Sequence, residues 1–331
     1  MLRIESLNLA DVPWAELDAF SDRTIFETRS WLDFISETQS AEPIVLRLFD
    51  GEKSVGYFTG LIVSRFGFRI LGSPFTGWTT AYMGFNLSDN SVRVEALSAL
   101  RAFAFGKLGC HYLELVDRRI PLETKAPSGF CRETAVGFEI DLTQDESTLF
   151  GNMASACRRC IRKSEKQGLV VVEAMDQGFA AEYYAQLNDV FAKQALVPTY
   201  GLTRIETLVK HLLPTGRLLL LRALTPEGEC AATGIFPAFN DTCYFFGGAS
   251  WRKLQHLRPN EAVIWHAIKY WKARGIRKFD FGGGGDYKRK YGPSEIAVPR
   301  WLAGKPAALV TLRNWARSAF ALKQRIQGKL R

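Results

Sequence analysis

Apolar and polar residues alternate between two periods along this chain, and the switches mark its elements. Val263, Ile264, Ala267, Ile268 and Trp271 recur at helical spacing, which predicts a helix over 259–274, opened by Pro259 and closed by Gly275. Shorter apolar runs before and after it predict strands at 217–224, 229–237, 242–248 and 277–281. Upstream, the pattern predicts a helix over 145–167, a strand at 169–174, and helices at 176–194 and 203–213. The first half follows a similar order. Helices are predicted over Trp14–Phe20, Thr28–Glu37 and Ser91–Lys107, and strands over Glu42–Phe49, Ser54–Ser64, Phe68–Leu71 and His111–Val116. The N-terminal residues Met1–Ser6 alternate like a further strand. The expected class is therefore α/β (α+β), with two units of mixed sheet flanked by helices. Their bounds are expected at 1–140 and 141–305, followed by a basic C-terminal helix at 306–331.

The last predicted strand ends abnormally. Phe279-Asp280-Phe281 runs into four glycines, Gly282–Gly285, and then into Asp286, Lys288, Arg289 and Lys290. Glycine admits positive φ and close approach of other atoms to the backbone, at an entropic cost. Basic side chains behind such a loop suit a phosphate, a carboxylate or a developing oxyanion. A flexible hairpin turn with solvated lysines is the plainer alternative.

Charge adds a second feature. Of 43 basic and 34 acidic residues, eight basic and no acidic ones follow Glu295, so nearly all of the +9 excess sits there. Leu309, Leu312, Trp315, Ala316, Ala319, Phe320 and Ile326 form an apolar stripe between those cations. Such a helix fits an anionic membrane surface or RNA, or else packs on its domain with its lysines in water. Within 145–167, Arg158, Arg162 and Lys166 make one stripe, and Arg159 and Lys163 the next. The double stripe suits a pyrophosphate or the backbone of a tRNA, or is a solvated face.

Several chemistries are excluded. Six scattered cysteines leave only Cys157 and Cys160 at ligand spacing, with no second pair, so no metal site is expected. No phosphate-binding P-loop, Rossmann fingerprint or serine nucleophile elbow occurs. The chain shows no signal-peptide pattern and no apolar run long enough to span a bilayer, so it is expected in the cytoplasm, with peripheral contact at the inner membrane face through the basic helix.

Five segments carry a resemblance. Tyr244-Phe245-Phe246-Gly247-Gly248-Ala249, Leu257-Arg258-Pro259-Asn260, Trp265-His266-Ala267-Ile268, Phe279-Asp280-Phe281-Gly282-Gly283 and Tyr287-Lys288-Arg289-Lys290-Tyr291-Gly292 follow one another in this order. They resemble FemAB-like acyltransferases of the GNAT superfamily. The stretch Arg158-Arg159-Cys160-Ile161-Arg162-Lys163-Ser164-Glu165-Lys166-Gln167-Gly168-Leu169-Val170-Val171 matches that family's helix-to-strand signature. The likeness covers about 140–300 well and the first half in outline. It implies two GNAT-like domains and transfer of an acyl group to an amine. The donor would be an acyl-CoA or an aminoacyl-tRNA, used as co-substrate with no permanently bound cofactor. The acceptor would be an envelope precursor: a peptidoglycan peptide, an amino sugar or a lipid-linked glycan. The family lysine that steadies the tetrahedral intermediate matches Lys288, with Tyr where the family has Phe at both aromatic positions. Asp280 and Asp286 are candidate proton acceptors. Arg158, Arg159, Arg162, Lys163, Asn260, Gly282, Gly283 and Gly284 are candidates for holding the donor, and Tyr244, Tyr287, Trp78 and Tyr82 for lining the substrate. The usual GNAT pyrophosphate signature is absent in plain form, which counts against ordinary acetyl-CoA binding. A degenerate scaffold that binds an anionic carrier or RNA without chemistry is the rival class.

Overall fold

A computed structural model describes residues 2–193, 196–313 and 315. In chain order its elements are β1 (Arg3–Leu7), α1 (Trp14–Asp18), α2 (Arg29–Gln39), β2 (Glu42–Asp50), β3 (Lys53–Arg65), β4 (Phe68–Ser73), β5 (Phe85–Leu87), α3 (Arg93–Gly106), β6 (Tyr112–Val116), β7 (Cys131–Asp141), α4 (Glu146–Asn152), α5 (Ser155–Lys166), β8 (Val170–Glu173), α6 (Gly178–Lys193), α7 (Leu202–Leu212), β9 (Leu218–Leu224), β10 (Cys230–Phe239), β11 (Thr242–Tyr244), β12 (Gly247–Ser250), α8 (Pro259–Ala273), β13 (Lys278–Gly283) and β14 (Ser294–Gly304). The mixed α/β class expected from the pattern is the one observed.

The chain divides into two compact units, one of residues 1–135 with the segment that begins at Ala297, the other of residues 136–296. The expectation that 297–305 belongs to the second half is corrected by pairing. β14 runs antiparallel to β6, with Arg300 opposite Val116 and Gly304 opposite Tyr112. Trp301, fully buried, joins the apolar cluster of the first unit. Pro299 and small residues hid this strand, since proline is depleted from sheet interiors.

In the first unit the strand order is β1-β2-β3-β4-β6-β14, with β5 on β3. α2 buries Trp31, Leu32, Phe34 and Ile35 on one face. In the second unit the order is β7-β13-β11-β10-β9-β8, with β12 also on β10. β9 is buried along Leu218–Leu221 without alternation, the mark of a strand covered on both faces. α8 begins with Pro259 at its first turn and packs Val263, Ile264, Ala267, Ile268 and Trp271 into the core, as its periodicity predicts.

Two further differences matter for the site. The helix expected over 145–167 is two helices, broken at Met153 and Ala154, both of which have extended backbone. The strand expected over 242–248 is also two pieces, β11 and β12, with Phe245 and Phe246 between them. Of the expected C-terminal helix, residues 308–313 are helical, and most of the rest lies outside the described residues.

Candidate active site in the second unit

The site grows from a parting of strands. β11 and β13 pair in parallel from Thr242 opposite Lys278 to Tyr244 opposite Asp280. The last tie is Phe245 N–H donating to the Asp280 carbonyl at 2.9 Å. Beyond it the chain continues as β12, which pairs with β10, while β13 runs on to Gly283 beside β7. The backbone carbonyls at the end of β13 thus lose their strand partner and need other donors.

Lys288 supplies them. Its Nζ donates to the Phe281 carbonyl at 2.7 Å and to the Gly283 carbonyl at 2.9 Å. Lys288 lies in a single 3-10 turn, Asp286–Tyr291, bounded by Gly285 at φ 78° and Gly292 at φ 74°. Tyr291 is buried and stacks on Phe281 with ring centroids 5.4 Å apart, which pins the turn to β13. Gly292 is required by close approach: a Cβ there would lie 2.5 Å from the Asn152 carbonyl oxygen. Lys288 is 7% exposed, and burial pushes its pKa below the ordinary lysine value of 10.5, with the Asp280 charge acting in the opposite sense. The ammonium is therefore preorganised: two of its three donors are fixed on backbone oxygens, and one remains.

The carboxylates differ. Asp280 is fully buried, and its Oδ1 accepts the Gly282 N–H at 2.5 Å, holding the first positive-φ glycine of the run. The Asp286 side chain is 96% exposed and lies 3.5 Å from Arg289. Of the four glycines, Gly282, Gly284 and Gly285 have positive φ, whereas Gly283 continues the strand. Tyr244 is buried in β11 and Tyr287 is about half exposed beside Lys288. Trp78, packed on Phe75, and Tyr82, beneath Arg118, belong to the first unit.

The basic helix separates into two kinds of residue. Arg158 donates to the carbonyls of Gly151, at 2.6 Å, and of Met153, so it caps the end of α4. Arg162 is exposed and stacks over Phe150 at 5.3 Å. Arg159 and Lys163 are exposed and form no ion pair among the described residues. Asn260 donates to Ser250 Oγ at 2.9 Å, tying α8 to β12. Cys157 is buried, and burial raises its thiol to about 12, which suits an inert core residue. No cluster of metal-ligating side chains occurs among the described residues.

The pattern also hid part of the opening. The Tyr183 hydroxyl, on α6, is 3.0 Å from that of Tyr200, and a Cβ at Gly247 would lie 2.4 Å from it. Burial pushes the Tyr183 phenol well above its ordinary value, with the nearby Tyr200 and Tyr287 adding to the shift. In the sequence Phe179 and Tyr183 read as a core stripe, and nothing local reveals the polar end.

Residues 151–290 match the model of the acetyltransferase (GNAT) domain. That span holds the parted strands, the glycine run and Lys288. The second unit thus carries a GNAT acetyltransferase domain. FemX has a similar fold, with a TM-score of 0.69, 13% identity and coverage of 89% of this chain and 96% of that one. L-PGS from Bacillus licheniformis superposes with a TM-score of 0.52 at 12% identity, over 91% of this chain and 98% of that one. The C-terminal domain of a candidate lysylphosphatidylglycerol synthetase from Agrobacterium fabrum gives 0.52 at 9% identity, over 78% of this chain and 84% of that one. No curated protein matches the sequence. Among the described residues, no helix is long and apolar enough to cross a membrane.

Proposed function

We propose that this protein is an acyltransferase that moves an acyl or aminoacyl group from a CoA thioester or an aminoacyl-tRNA ester to an amine of a cell-envelope precursor. The observation that carries the reading is the buried Lys288 ammonium, fixed by Phe281 and Gly283 at the mouth of the parted strands. The amine nitrogen attacks the donor carbonyl, and its electron pair becomes the new C–N bond. The carbonyl π pair moves onto oxygen, and the third N–H of Lys288 meets that developing charge. Collapse expels the thiolate or the ribose oxygen, which takes up a proton as the amine loses one. A fixed cation of this kind lowers a barrier by a few kcal/mol. Asp280, sealed and engaged by Gly282, serves the turn; Asp286, open to solvent, is the better of the two carboxylates to take the proton.

The envelope acceptor is supported by the shared fold with FemX and with a candidate lysylphosphatidylglycerol synthetase, whose name denotes an amino acid joined to a lipid headgroup. Arg159 and Lys163, exposed on α5, are the donor-phosphate contacts in this reading. The test is a transfer assay with acyl-CoA and aminoacyl-tRNA offered in turn to amine-bearing precursors. Turnover with one donor that vanishes in Lys288→Met supports the proposal. Tight binding of a precursor with no turnover on either donor would favour a binding protein instead.

A further inference from the structure

β3 and β4 pair as far as Arg65 opposite Phe68, so Phe66 and Gly67 form a two-residue loop. Both have positive φ, 51° and 78°. Loops of this kind prefer Asn or Asp before Gly, because a short polar side chain tolerates left-handed backbone and a bulky one does not. Phe66 is also 99% exposed, so its ring contributes nothing to the core. Neither backbone preference nor burial accounts for phenylalanine here, and an observed outlier of this kind points to a role outside the fold.

The surroundings indicate what the ring meets. β4 starts beside the start of β6, with Ile70 opposite Tyr112, and β14 ends there, with Gly304 opposite Tyr112. The Phe66 tip, Lys107 after α3, and Lys305 after β14 therefore lie at one end of the first unit's sheet. Arg65, Lys107 and Lys305 are exposed and form no ion pair among the described residues. Glu42, at the same end, is already taken by Arg69 at 3.0 Å.

We propose that this end of the first unit docks on an anionic lipid surface, with the Phe66 ring in the headgroup layer and Arg65, Lys107 and Lys305 facing lipid phosphates. A lone projecting aromatic among uncommitted cations matches the chemistry of that interface. The inference does not depend on the acyl-transfer reading.

The experiment is co-sedimentation of the full-length protein with phosphatidylcholine vesicles, with and without phosphatidylglycerol, at low and high salt. The wild type is expected to bind the phosphatidylglycerol vesicles and to lose them at high salt. Phe66→Asn suits the left-handed backbone, so it should keep or raise the melting temperature while lowering vesicle binding about tenfold. Phe66→Leu should retain most of the binding, and Arg65→Gln should weaken it only where phosphatidylglycerol is present. No vesicle binding by the wild type would overturn the proposal. So would binding that Phe66→Asn leaves unchanged, which assigns membrane contact to the basic C-terminal segment. A tRNA that displaces the vesicles and loses affinity on Phe66→Asn would instead identify the tip as an RNA contact.

Discussion

Lys290 and Glu261 are joined at 2.6 Å, so the lysine two positions after Lys288 is committed to holding α8 against the turn. The Glu261 side chain is 11% exposed, and a carboxylate so placed is costly to leave alone. Lys290→Met is therefore expected to leave turnover within a few-fold while costing about 2 kcal/mol of stability. Thermal melts and steady-state rates on the same preparation separate the two effects. A large loss of turnover with an unchanged melt would reverse the assignment.

Lys288→Met should show the opposite balance. Turnover should fall roughly 100-fold or more, as for loss of an oxyanion stabiliser. The carbonyls of Phe281 and Gly283 would lose their donor, so a stability cost of about 1–2 kcal/mol is expected beside it. Lys288→Arg restores a cation and should recover part of the rate. A rate for Lys288→Met within threefold of wild type would remove the lysine from the chemistry.

The pH profile offers a second handle on Lys288. Its folded pKa lies below 10.5 because burial opposes the charged form. If the cation is the active form, kcat falls as pH rises through that lowered value, so the alkaline limb begins below the ordinary lysine range. Stability moves the other way. Between the folded and the unfolded pKa the unfolded chain binds the extra proton, so this group's contribution to stability rises with pH. Lys288→Arg should abolish the alkaline limb of kcat. A limb that persists unchanged in Lys288→Arg belongs to another group.

The basic helix should divide under mutation as it does in structure. Arg158→Ala uncaps α4 and is expected to lower the melting temperature through the lost bonds to Gly151 and Met153. Arg159→Ala with Lys163→Ala touches no described partner and should leave the melt alone. In the proposed reading the pair weakens donor binding several-fold and flattens its salt dependence. Donor titrations at two salt concentrations decide this, and unchanged affinity would return both residues to a solvated face.

At Gly247 even one methyl group meets the Tyr183 hydroxyl. Gly247→Ala is expected to destabilise the second unit by about 1–3 kcal/mol through overpacking. Adding Tyr183→Phe removes the clashing oxygen and should recover part of that loss, a coupling readable in a double-mutant cycle. Strict additivity of the two changes would place the strain elsewhere.

Periodic elements were legible in the sequence because their causes are local. The α8 stripe and its proline and glycine ends show in residues 259–275, and the structure places that helix at Pro259–Ala273. What was illegible depends on distant partners. The break between α4 and α5 exists because Ala154 N–H donates to the Lys290 carbonyl at 2.9 Å, a bond no local pattern announces. The strand β14 depends on pairing with β6, far away in the chain. The Lys288 motif was readable as a motif. The burial of its ammonium and the hold of Asp280 on Gly282 depend on the parting of β11 and β13, which no local pattern announces.

The joint at Asn152, Ala154, Lys290 and Gly292 also constrains how this chain can change length. The start of α5 is bonded to the lysine-bearing turn, and Gly292 leaves no room beside the Asn152 carbonyl. One residue gained or lost between α4 and α5 would rotate every later α5 side chain by about a quarter turn and pull the turn off β13. The irregular stretch 121–129 is exposed or half-buried throughout, and length variation there should be absorbed in solvent. Insertions and deletions in descendants of this gene should accordingly collect in that stretch and avoid Asn152, Met153 and Ala154.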